Sequence, residues 1–162
     1  LIDAGCTHVL VGHLTFSCLG FLPNWLSEGL AMYGEGGLES IDQARLDDAI
    51  EYDTLMSVRS LSGGFSEEYD RASLAYAESY SIVNFLIEAY GQEKMSQLLA
   101  ALRSGATGDA ALQSIYGFDV DGLEDAWRES IGAAPRIQAA NPTPLPTPPN
   151  PPANQNPSPL QN

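Results

Sequence analysis

The 162-residue chain carries 21 acidic and 7 basic side chains, a formal net charge of −14. That length fits a single domain with a sizeable core, whereas so acidic a surface repels phosphate backbones and anionic headgroups. Nucleic acid and peripheral membrane binding are therefore not expected. No run reaches the ~18 to 20 apolar residues of a membrane span, so direct membrane insertion is not expected either.

Residues 2 to about 16 read as an apolar helix, with Ile2, Val9, Leu10, Val11, Leu14 and Phe16 as its apolar positions. Residues 17 to 22 form a connector. Pro23 then stands where proline is welcome, at or just before a first helical turn. A mostly apolar helix follows through Trp25, Leu26, Gly29, Leu30, Met32 and Tyr33, and Gly34, Gly36 and Gly37 end it.

Residues 42 to about 52 make a short acidic helix, and a loop runs through residues 57 to 64. The longest helix spans residues 70 to 90. Leu74, Ala75, Ala77, Ile82, Phe85, Leu86 and Ala89 are its expected core face, and Gly91 ends it. A helix over residues 92 to 103 carries Met95, Leu98, Leu99 and Leu102. Thr107 caps another that runs to Tyr116. Asp121 is expected to cap a last one, with Glu124 three residues on completing an approximate capping box.

Asp119-Val120-Asp121-Gly122 has the start of a calcium loop without its downstream ligands, so helix capping explains it better. β-branched alternation is nearly absent. The expected fold is mainly α, a single domain of about six to seven helices over residues 1–133.

Residues 134–162 differ in kind. Ten of the eleven prolines lie from Pro135 onward, with no acidic residue and few large apolar ones. Such a segment buries too little to offset its ordering entropy, and reads as a polyproline-II spacer or disorder. Cys6 and Cys18 are too few for a disulfide framework. An unbroken helix would hold them about 18 Å apart; a helix ending before Cys18 leaves a bond open. The chain opens at Leu1, inside what reads as a helix, and is expected to be a fragment of a longer protein.

The chemistry concentrates near the start. Thr7-His8-Val9-Leu10 is followed, after nineteen residues between His8 and Glu28, by Pro23-Asn24-Trp25-Leu26-Ser27-Glu28-Gly29-Leu30-Ala31. A glutamate on so apolar a helix is costly to bury unless a cation meets it, either a metal or an arginine. His8 taken alone reads as a partly buried side chain. His13, five residues on, lies about 140° round the helix from His8, and Cys6 about 200° round, so neither shares an ion with it. Asp3 has the same problem.

These residues resemble the second half of a gluzincin zinc site, in which a histidine ends an HExxH helix and a glutamate ligand follows on the next helix. With Ala75-Tyr76-Ala77-Glu78-Ser79-Tyr80-Ser81-Ile82-Val83, Tyr90-Gly91, Tyr116-Gly117-Phe118-Asp119 and Leu123-Glu124-Asp125-Ala126-Trp127, the chain is similar to the Peptidase MA-like domain family. That is a gluzincin-type metallopeptidase family common in bacterial genomes, and the fold would match the C-terminal part of such an enzyme.

The resemblance implies zinc as cofactor, His8 and Glu28 as metal ligands, and a peptide or protein substrate. It implies an oxyanion donor among tyrosines, with Tyr76 and Tyr80 the candidates and Tyr80 preferred; packing against the core is the plainer role for each. It also implies an extracytoplasmic or cell-surface location, to which a Pro/Thr-rich spacer is suited. In the register that His8 sets, however, the first histidine falls on Ala4 and the general base on Gly5.

Losing a base alone costs ~10² to 10⁴ in rate, and losing a ligand weakens metal retention. The expectation is a zinc metallopeptidase-like domain with impaired hydrolysis. The alternative is a non-catalytic helical module for peptide binding or surface display.

Overall fold

The computed structural model describes residues 22–136, and within them the chain is helical with no strand. Pro23 has the extended backbone of an N-cap and accepts the amide hydrogens of Leu26 and Ser27 on its carbonyl. From it runs α1 (Asn24–Glu35), and Gly36, at φ 108°, closes that helix in the left-handed conformation that favours glycine. Helix α2 (Ser40–Glu51) starts two residues earlier than the acidic pattern predicts. The 57 to 64 loop contains a single 3₁₀ turn at Ser60–Ser62.

Helix α3 (Tyr69–Tyr90) is the axis of the molecule. Gly91 both ends it and starts α4 (Gln92–Arg103). Thr107 caps α5 (Gly108–Tyr116) by accepting the Ala110 amide hydrogen. The final helix is α6 (Val120–Ser130). Its cap is Asp119, whose side chain accepts from the Gly122 amide, and not the expected Asp121. Asp121 is committed elsewhere, to Arg59 at 2.9 Å and Arg136 at 2.6 Å, partners far away in sequence.

The core gathers on α3. Trp25 and Leu26 of α1, Leu98 of α4, Leu112 of α5 and Leu123 and Trp127 of α6 surround Ala75, Ile82, Val83 and Leu86. Val58 and Leu61 plug the same core from the loop. The buried face of α3 is not quite the apolar stripe: Ala89 is exposed, while Glu78 and Ser79 are fully buried. After α6 the chain is tied back to it, since Arg128 donates to the Ala134 carbonyl and Arg136 pairs with Asp121 and Asp125.

Candidate functional site

Helix α1 presents Trp25, Leu26, Gly29 and Ala31 to the core. It lies very close on α3, because a Cβ at Gly29 would stand 2.3 Å from the Ser79 carbonyl oxygen. That approach fixes the neighbouring Glu28 at the seam between the two helices, half-buried rather than enclosed. The carboxylate lines an open cleft of about 370 Å³ with Met32 and Glu35 of α1, Asp42 of α2, and Tyr69, Ser73 and Tyr76 of α3.

No arginine neutralises Glu28. Arg45, on α2, instead pairs with Asp42 at 3.1 Å and Asp70 at 3.6 Å, and its guanidinium lies 5.5 Å over the Tyr69 ring. Among the described residues Glu28 makes neither a hydrogen bond nor an ion pair.

Of the two tyrosines singled out from the sequence, Tyr76 is the one that shares the cleft with Glu28. Burial raises its phenol pKa, and the Glu28 carboxylate raises it further. Phe65 meets its ring edge-on at 5.1 Å. Tyr80, one turn on, stacks against Tyr33 at 6.4 Å, and its hydroxyl lies 3.0 Å from where a Cβ of Gly37 would be. It does not line the cleft. His8, with Asp3, Ala4, Gly5, Cys6, His13 and Cys18, lies outside the described residues.

Set beside this geometry, a model of the Peptidase MA superfamily matches residues 2–133. The chain belongs to that superfamily. Neither a curated protein nor a solved structure matches it. At superfamily level, then, this Peptidase MA domain is metallopeptidase-like, of a kind generally dependent on zinc and acting on peptides.

The described residues of this Peptidase MA domain do not by themselves complete a zinc site. A catalytic zinc takes three protein ligands and a water. The described residues contain Glu28 from the implied set, and no three His, Cys, Asp or Glu side chains among them are grouped to hold an ion. Outside them the implied set offers His8, while Ala4, in the remaining ligand's slot, has no side-chain lone pair.

A buried polar network was not anticipated. Glu78 has no solvent exposure. One of its oxygens accepts the Met56 amide hydrogen at 3.1 Å, and the other has no partner among the described residues. Burial pushes its pKa up to about 8 against the opposing pull of the Met56 amide and Arg128, and Glu124 pushes the same way as burial.

Glu124, also buried, accepts from the Val58 amide at 3.0 Å and from Arg128 at 3.1 Å. Arg128 in turn donates to the Leu55 carbonyl and pairs with Asp53 at 3.6 Å. Two glutamates and an arginine from two helices thus clamp the segment from Asp53 to Val58. The available signal was Glu78 standing between Ala75, Ala77 and Ile82 on an apolar face.

Proposed function

We propose that this Peptidase MA domain is a zinc-metallopeptidase-like domain whose own chain binds peptide in the Glu28 cleft and is impaired in hydrolysing it. The observation that carries this is the Glu28 carboxylate, held by the α1–α3 seam at an open cleft beside Tyr76 and Tyr69, with no cation of the described residues on it. A glutamate kept only for stability on that helix would be paired or fully solvated. The impairment rests on Gly5 in the base slot and Ala4 in the ligand slot. His8 and Glu28 remain the proposed metal ligands, and Tyr76 is favoured over Tyr80 as a phenol that would meet a bound carbonyl.

Metal analysis and a peptidase assay, with and without chelator, test the proposal. The expected result is less than stoichiometric zinc and no chelator-sensitive cleavage. One zinc per chain together with chelator-sensitive hydrolysis would overturn it.

The second reading is a peptide-binding or surface-display module with no catalytic role at all. The aromatic rim of the cleft favours it, with Tyr69 at 73% and Tyr76 at 40% exposure available for stacking on a ligand. Binding that chelator leaves unchanged and that Tyr76→Ala weakens supports this module. Absence of saturable binding across a peptide library counts against it. An extracytoplasmic placement, with residues 134–162 as a spacer after a domain of residues 1–133, completes the proposal, and the Pro/Thr-rich composition supports it.

A further inference from the structure

A second hollow, of about 350 Å³, opens between the 57 to 66 segment and the start of α3. It is the chemical opposite of its neighbour. Three carboxylates line the Glu28 cleft, and among the described residues no Asp or Glu lines this one, although the chain has three acids for every base. Its charged group is Arg71.

Among the described residues, nothing pairs with Arg71 to account for its place. It is the third residue of α3, where a cation opposes the helix macrodipole. Arg45, Arg59, Arg128 and Arg136 each hold a carboxylate at 3.1 Å or closer. Arg71 makes no ion pair or hydrogen bond among the described residues, although Glu67 and Glu68 immediately precede the helix.

The remaining walls suit one kind of ligand. Ser66 Oγ accepts the Glu68 amide hydrogen at 3.1 Å, which leaves its own proton to donate. Ser60 Oγ already donates to the Ser57 carbonyl and has only lone pairs to offer. Phe65, Leu61 and Met56 form an apolar side. Phe65 also connects it to the Glu28 cleft, since its ring meets Tyr76, which lines that cleft, edge-on at 5.1 Å.

We propose that this hollow is a carboxylate subsite for the peptide held in the Glu28 cleft. The Arg71 guanidinium takes the carboxylate through its planar fork. Ser66 Oγ donates a further hydrogen bond, and Phe65, Leu61 and Met56 pack against the apolar side chain next to it. The inference rests on the peptide-binding reading above. The carboxylate is either the C-terminus of the peptide or an acidic side chain, and the chemistry at Arg71 is the same for both.

NMR titration of the ¹⁵N-labelled full chain, following the Arg71 Nε–Hε signal, tests it with three probes. These are N-acetyl-Ala-Ala-Phe as the free acid, the same peptide as its C-terminal amide, and N-acetyl-Ala-Phe-Glu amide. The expected result is at least tenfold tighter binding of one or both carboxylate-bearing probes over the uncharged amide, with the Arg71 signal moving. Which of the two binds identifies the carboxylate source.

Arg71→Gln should erase that preference without lowering Tm, because the side chain is exposed, while Arg103→Gln on α4 should keep it. Equal affinity for all three probes in the wild type, or a preference surviving Arg71→Gln, overturns the subsite and leaves the peptide cleft standing. No saturable binding of any probe overturns both.

Discussion

A carboxyl group without solvent must find cations or give up its charge, and Glu78 shows the second outcome. Its pKa of about 8 in the folded chain compares with an ordinary value of 4.5. Between those values the folded state keeps a proton that the unfolded state has released. Stability therefore falls as pH rises from about 4.5 to about 8, and levels off above that. Glu78→Gln retains an oxygen for the Met56 amide and removes the penalty. It should stabilise the chain by up to about 3 kcal/mol at pH 7 and by almost nothing at pH 4. Thermal melts of both proteins across that range check this, and a variant that melts below wild type at pH 8 would show the sign to be wrong.

Glu28 and Tyr76 carry a different lesson at the same scale. The motif around Glu28 was legible because few helices place a lone glutamate within such an apolar run. The choice between Tyr76 and Tyr80 was not legible. The two lie one turn apart on the same face of α3, and what separates them is the end of α1, where Tyr33 and Gly37 take up Tyr80.

Helices and their contacts set the next scale. The α1–α3 seam depends on the absence of a side chain at Gly29, where a Cβ would also meet Val83 Cγ2 at 2.6 Å. The obstruction at 2.3 Å is a backbone carbonyl, which has little room to yield. Gly29→Ala gains helix propensity of up to about 1 kcal/mol but should still destabilise the chain by about 2 kcal/mol net. Denaturant melts measure this, and the same shift of α1 should alter peptide affinity at the Glu28 cleft. A variant at least as stable as wild type would mean that the seam relaxes freely.

The Asp53 to Val58 segment depends on α6 in the same way. Glu124→Ala leaves Arg128 buried without its closest carboxylate and orphans the Val58 amide, so a loss of about 3 to 5 kcal/mol is expected. Hydrogen exchange at Val58 should rise together with that loss. Full protection of Val58 in the variant would place its restraint elsewhere.

The helix starts were read well where a cap works locally, as at Pro23 and Thr107. The last one was misread by two residues. Asp119 and Asp121 are equally good caps in sequence, and Arg59 and Arg136 decide between them through space.

At the scale of the whole molecule, the proposed pair of ligands, His8 and Glu28, should leave folding indifferent to metal. Binding of a ligand to the folded state alone raises stability with its concentration. Micromolar zinc and excess chelator are therefore both expected to leave Tm unchanged. A rise in Tm with zinc, reversed by chelator, would reveal a third ligand supplied from residues 1–21. Among the described residues no helix is long and apolar enough to cross a membrane.

The amino-acid sequence by itself determined the helices of the described residues, their order, and the Glu28 motif, along with Ala4 and Gly5 in the register that His8 sets. Those features follow from periodicity, capping and spacing over a few residues, which the chain carries locally. Tertiary structure alone decided that Tyr76 shares a cleft with Glu28, that Glu78 and Glu124 are buried to hold a loop, and that Arg71 lines a hollow with no carboxylate among the described residues. The contacts of Glu78, Glu124 and Arg128 join segments 22 to 73 residues apart, the Arg71 hollow folds a loop back on the helix that follows it, and a one-dimensional pattern holds no record of which side chains close packing brings together.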